Sequence, residues 1–194
     1  MARDTKIGVL ALQGDFAEHA HMLRDIGVQP VEVRKADQLA GLDGLIIPGG
    51  ESTTFGKLAK SFGLVEPLRE FVQTHPTWGT CAGAIFLAKH IQGEVPHLGL
   101  MDITVERNAF GRQIDSFTQS LDVKGLGGGP YRAVFIRAPI ITEVGPAAEV
   151  LARLDDGTIV AAQQDHMLAT SFHPELTPDE RMHRYFVDMV EQQK

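Results

Sequence analysis

One cysteine in 194 residues excludes an internal disulfide framework and makes a reducing compartment, the cytoplasm, the expected location. Long apolar runs are also missing. No stretch approaches the roughly 20 residues that span a bilayer, so no membrane association is expected. The opening MARDTKIGVLALQGD has an apolar run too short for a signal peptide. Basic charge is scarce as well: 18 Lys and Arg against 25 Asp and Glu leave a net charge of -7, which argues against nucleic-acid binding through phosphate neutralisation. No cluster of His, Cys, Asp and Glu shows metal-ligand spacing, and neither a metal nor a cofactor is expected. Internal repeats and low-complexity tracts are absent, and the loop GLGGGP (125–130) is too short for a linker, so residues 1–194 read as one domain.

What is present begins with strand–helix alternation. KIGVLAL (6–12) is a short apolar run, followed by Gly14 and Asp15 and then by Phe16, Ala20, Leu23 and Ile26 at helical spacing up to Gly27. PVEVR (30–34) and GLIIP (44–48) read as strands. Residues 52–73 are helical in period, with interruptions near Gly63 and Pro67. THPTWGTC ends in a strand, and AGAIFLAKHI continues as a helix. This alternation predicts a mostly parallel sheet with helices on both faces. The second half predicts further strands without intervening helices: MDITVERNAF, SFTQSLDVKG, YRAVFIRAP and MLATSFHPEL, with EVLARL-DDGT-IVAAQQ as a hairpin turning at Asp156-Gly157. Thr177-Pro178-Asp179-Glu180 reads as a capping box with proline at the first position of the closing helix, RMHRYFVDMVEQQ.

The single thiol lies in Gly79-Thr80-Cys81-Ala82-Gly83, a G-x-C-x-G pattern where a predicted strand meets a predicted helix. That is a nucleophile elbow with sulfur as the nucleophile. Its glycines are expected because a side chain at either position would strike the neighbouring strand or helix. The following helix N-terminus favours thiolate, and the Ala82 amide is placed to hold an oxyanion. A free cysteine is ordinarily a small buried hydrophobe, but such a cysteine needs no flanking glycines. A nucleophile needs a base. Of eight histidines, His19, His21, His90 and His183 fall on predicted helices as solvated or partly packed residues, and His75, His97 and His166 fall in loops. His173 ends a strand, and Glu175 two residues on would share its side of an extended chain and fix its tautomer. A thiol serving only as a redox sensor would need no such pair. GGESTTFGKL (49–58) fails as a phosphate loop in both its glycine spacing and its residue after Lys57; its glycines expose amides, and Ser52 or Thr53 is expected to cap the next helix.

PGGEST, GTCAG and SFHPEL, in that order, resemble the class I (triad) glutamine amidotransferases. GVLALQGDFAEH, EPLREF, PHLGLMDITVERNAFGRQIDSF, VFIRAP and SFHPELTPDERMHRYFVDMV narrow the resemblance to the glutaminase subunits of pyridoxal 5′-phosphate synthase, over nearly the whole chain. The resemblance implies a three-layer flavodoxin-like α/β sandwich with extra antiparallel strands in the second half. It implies that Cys81 attacks the side-chain amide of L-glutamine, that His173 moves the proton and that Glu175 orients the imidazole. It assigns Gly49, Gly50, Glu51, Arg107, Ile136 and Arg137 to glutamine binding, and the amides of Gly50 and Ala82 to the oxyanion hole. For Arg107 the residues alone leave open a surface ion pair with an acid. The implied partner is a synthase subunit in a hetero-oligomeric complex, which receives the ammonia and makes pyridoxal 5′-phosphate from ribose 5-phosphate and glyceraldehyde 3-phosphate.

Overall fold

The computed structural model describes residues 5–107 and 116–194. Most of the motif VERNAFGRQIDSF, from Asn108 to Asp115, lies outside the described residues. Five strands run parallel side by side: β1 (Lys6–Leu10), β2 (Gln29–Val33), β3 (Gly44–Ile47), β4 (Thr77–Thr80) and β12 (Met167–Thr170), in the order β2-β1-β3-β4-β12. The sheet continues antiparallel from β12 through β11 (Ile159–Gln164) and β9 (Ile140–Val144) to β6 (Met101–Glu106), and ends on β5 (Ala88–Ile91), parallel to β6. β10 (Glu149–Arg153) pairs with β11 as the expected hairpin, and Gly157 takes the positive φ of its turn, +88°. A separate two-stranded sheet joins β7 (Ser116–Leu121) to β8 (Tyr131–Ile136).

The apolar runs of β1, β3 and β12 are explained by burial on both faces, which β4 shares. On one face Leu45 and Ile47 pack with Phe55, Ala59, Leu68, Phe71 and Phe86 of α2 (Ser52–Ser61), α3 (Val65–Thr74) and α4 (Ala82–Leu87). On the other, Ile46 and Trp78 pack with Leu23 of α1 (Phe16–Asp25) and with Met182, Phe186 and Val190 of α5 (Arg181–Glu191). Alternate residues of one strand thus feed two helical layers.

The structure departs from the sequence reading at several places. Of the two interruptions expected in 52–73, the one near Gly63 is the break at Phe62–Leu64, but Pro67 does not interrupt α3: it sits in the first turn, where no intrahelical donor is required. The helix after Cys81 ends at Leu87, and Ala88–Ile91 becomes β5 because β6 offers it a ladder; His90 is therefore on a strand. Helix α2 is capped by Glu51, whose side chain accepts from the amides of Thr53 and Thr54, while Ser52 and Thr53 lie inside the helix. The closing helix starts at Arg181 rather than at Pro178. Thr177 and Asp179 instead accept amides within the turn before it, from Asp179 and Arg181. Strand β9 had no expectation, since IITEV lies between predicted elements without its own turn signals.

Candidate active site

Strands β4 and β12 are parallel neighbours in register, Thr80 opposite Thr170, and both end at the same edge of the sheet. Chain segments leaving the carboxyl ends of a parallel sheet form its natural crevice. Cys81 follows β4 directly, with its amide donating to the Thr170 carbonyl at 2.8 Å. Its backbone has φ 49° and ψ -107°, a conformation that an L-residue adopts only under constraint. The flanking glycines supply that constraint. A Cβ on Gly79 would lie 2.4 Å from the Gly83 carbonyl oxygen, and one on Gly83 would lie 1.9 Å from the Ile47 carbonyl oxygen. Helix α4 therefore packs against β3 and β4 at backbone distance, with Cys81 at its N-terminus and Ala82 as its first residue.

His173 reaches the same crevice from β12. Phe172 anchors in the core, and the His173 amide donates to the Val134 carbonyl of β8 at 2.8 Å. Nδ1 of His173 lies 2.6 Å from Oε1 of Glu175. The contact matches the sequence reading, but its geometry does not: Pro174–Leu176 forms a 3-10 turn, so the turn, not an extended strand, brings Glu175 back beneath the ring. Asp15 contributes a second carboxylate, with Oδ2 3.3 Å from Nδ1. Burial alone would lower the pKa of His173, but the interactions with Asp15, Cys81 and Glu175 outweigh it and raise the value to about 12. His173 carries its second proton at neutral pH. Asp15 is held below its ordinary value, chiefly by its hydrogen bond with His173, whereas burial raises Glu175.

Cys81 and His173 line one open cavity of about 600 Å³, together with Asp15, Gly50, Glu51, Ala82, Arg107, Ile136 and Arg137. Gly49 lies beneath it: a Cβ there would be 2.6 Å from the His173 ring and 3.2 Å from the Cys81 Cβ. The Gly49 carbonyl accepts from the Asp15 amide at 3.2 Å, and Gly50 has φ +148°. Gln13 brackets the next peptide, donating to the Glu51 carbonyl at 3.1 Å and accepting from its amide at 3.3 Å. Cys81 Sγ is 4.0 Å from the Ile136 carbonyl, and Arg137 has φ 44°, a second constrained position on the rim. All the residues named from the sequence thus converge at the cavity. The Glu51 side chain is engaged in capping α2, which holds its carboxyl down at about 2, chiefly through the Thr54 hydroxyl and the Thr53 and Thr54 amides. Arg107 faces the cavity while its Nη1 donates to Glu94 and its Nη2 to Thr53. The donor atoms of Asp15, His173 and Glu175 fall within 4.8 Å of one another, but the 2.6 Å Nδ1–Oε1 contact is a hydrogen bond that an inserted cation would have to break.

Sequence reasoning missed Asp15 and Gln13. It also placed two histidines wrongly: His19 and His183 are fully buried, not solvated or partly packed. A polar residue at a core-facing position of an apolar helix face was the available signal.

The SNO glutamine amidotransferase family model matches residues 9–192. The pyridoxal 5′-phosphate synthase subunit PdxT of Dehalococcoides mccartyi (strain ATCC BAA-2266 / KCTC 15142 / 195) is 59% identical, covering 97% of this chain and 99% of the relative. The PdxT subunit of Roseiflexus sp. (strain RS-1) is 57% identical over 94% of this chain and 99% of its own. A solved glutamine amidotransferase structure superimposes with a TM-score of 0.90 at 52% identity, covering 95% of this chain and 98% of that one.

Proposed function

The chain belongs to the SNO glutamine amidotransferase family, and from that premise we propose that Cys81, His173 and Glu175 are the catalytic residues of a glutaminase. It is the glutamine-hydrolysing subunit of pyridoxal 5′-phosphate synthase. The observation that carries the residue assignment is the constrained backbone of Cys81 beside a histidine paired to a buried carboxylate, in one cavity.

L-Glutamine enters with its side-chain amide over Cys81. Sγ attacks the amide carbon, and the developing oxyanion is held by the amides of Ala82 and Gly50. His173 gives its proton to the departing nitrogen as the C–N bond breaks, leaving a γ-glutamyl thioester and ammonia. The ring then takes a proton from water, which attacks the thioester, releases glutamate and returns Cys81. Glu175 holds the imidazole in register throughout. Gly49, Gly50, Glu51, Ile136 and Arg137 shape the pocket around the substrate, and Arg107 meets its α-carboxylate.

The whole chain acts as one amidotransferase domain in the cytoplasm. No helix among the described residues is long and apolar enough to cross a membrane. The synthase subunit docks over the cavity mouth, where Ile136 and Leu176 remain about 40% exposed despite their size. Docking would cover these side chains and pass ammonia between subunits, to the synthase site that uses ribose 5-phosphate and glyceraldehyde 3-phosphate. It would also set the Gly49–Gly50 peptide, which glycine allows to rotate at little steric cost. Glutamate release by the isolated chain and by the complex tests this reading. Hydrolysis should be faster in the complex; equal rates would contradict the proposed gating by the partner.

A further inference from the structure

Behind the triad lies a buried chain of polar side chains that the mechanism above does not use. His19 of α1 is fully buried, and its Nε2 is 3.3 Å from Oε2 of Glu175 and 3.2 Å from the Thr80 hydroxyl. Its Nδ1 is 2.9 Å from Nε2 of His183 on α5, which is also fully buried. Trp78 packs edge-on against both rings, with centroids 5.8 Å and 5.1 Å away.

Both rings are neutral. Burial, then the charges of His183 and His173, hold His19 well below its ordinary pKa, and burial holds His183 at about 3. Each therefore has one N–H, and two arrangements are possible. In one, His183 Nε2–H donates to His19 Nδ1, and His19 Nε2–H points at Glu175 Oε2, with Thr80 sharing it. His183 Nδ1 and Glu175 Oε2 both lack a full hydrogen bond, but this arrangement at least turns a donor toward the carboxylate, with His19 Nε2–H 3.3 Å from Oε2, and leaves only a neutral acceptor with no donor facing it. In the other, His19 Nδ1–H donates to His183 and its Nε2 lone pair faces a carboxylate oxygen. That leaves a buried donor on His183 and a buried carboxylate oxygen both unsatisfied. An ionised oxygen without a donor costs more than a neutral imine nitrogen without one. The first arrangement wins.

We propose that His19 is a positioning residue of the glutaminase: held by His183 with its proton on Nε2, it fixes the outer oxygen of Glu175 and so aims the inner oxygen at His173. The proposal rests on the triad assignment above. The groups facing Glu175 are His173 from its own turn, Asp15 from the loop before α1, His19 from α1 and Tyr131 from β8. Of these, His19 lies 3.3 Å from Oε2, whereas Nδ1 of His173 meets Oε1.

Two isosteric variants separate this role from simple core packing, assayed in the complex with the synthase subunit. His19→Gln keeps an N–H at the ε position, toward Glu175. His19→Asn places its amide at the δ position, toward His183. The proposal expects His19→Gln to stay within about threefold of wild type. His19→Asn should lose on the order of 10–100-fold in kcat, with little change in KM for glutamine, as when the partner behind a working imidazole is removed. Equal kcat for the two variants would overturn it. In the wild-type protein, nitrogen-15 spectra of the imidazole rings should show neutral His19 as the Nε2–H tautomer, and an Nδ1–H tautomer would equally overturn it whether or not the variants fold. Loss of activity in His173→Ala with equal kcat in the two His19 variants would refute the inference while leaving the triad standing.

Discussion

Arg107 donates through Nη1 to Glu94 Oε1 at 2.7 Å, so a substrate carboxylate must compete with Glu94 for the cation on the cavity rim. Of the two readings that the sequence left open for Arg107, the ion pair is present, made with Glu94, and the same side chain lines the cavity that a substrate carboxylate would enter. Arg107→Ala should raise KM for glutamine roughly tenfold or more, the scale of a hydrogen bond to a charged group, with a smaller change in kcat. Glu94→Gln should do the reverse and lower KM by at most about fivefold, because an exposed pair is worth little. Steady-state glutaminase kinetics of the two variants check both directions. An unmoved KM in Arg107→Ala would leave only the ion pair.

Gly83 is the residue that fixes how closely α4 approaches β3. Gly83→Ala would drive a methyl into the Ile47 carbonyl, an obstacle made of backbone that cannot rotate aside. It should destabilise the protein by about 1–3 kcal/mol, as overpacking does, and displace the thiol enough to remove activity. Gly127→Ala, where an added Cβ meets nothing within 4 Å, is the control and should change neither. Thermal unfolding and glutamate release on both variants decide the point.

The second carboxylate at His173 makes a prediction about pH. Because the folded pKa of His173 is raised, its contribution to stability is fully present below its ordinary value near 6.5 and fades as pH climbs toward about 12. Asp15 works oppositely: its value is lowered, so its contribution is present above the ordinary carboxylate range and is lost on acidification through its folded value. Asp15→Asn removes one of the interactions that keep the imidazole protonated. The basic limb of the kcat/KM profile should therefore move to lower pH, and stability at alkaline pH should begin to fall earlier. A basic limb that stays where it is in wild type would show that Glu175 and Cys81 alone hold the proton.

The elbow, the His173–Glu175 pair and the first four strands were legible because each has a local cause. Glycines flank the thiol at the spacing the turn requires, and β1 and β3 carry no polar side chain at any buried position. What escaped depends on distant partners. Ala88–Ile91 continues a helical pattern and is a strand only because β6 lies alongside. His19 and His183 look like ordinary helix residues, and their burial follows from α1 and α5 meeting over Trp78, with the two histidines 164 residues apart in sequence. Asp15 sits after Gly14, whose φ of +84° and contact with the Gly49 carbonyl bring two loops together that no sequence spacing connects.

The proposed chemistry stands or falls with the thiol at the β4–α4 junction as the nucleophile. The direct measurement is glutamate release by Cys81→Ala in the presence of the synthase subunit, alongside its thermal unfolding curve. Cys81 is nearly buried but small, and alanine fits its place, so the fold should survive with a modest change in stability. Glutamate release should fall by several orders of magnitude, and His173→Ala combined with it should cost little more, since members of one catalytic unit are not additive. A folded Cys81→Ala protein that still releases glutamate at close to the wild-type rate would contradict the account.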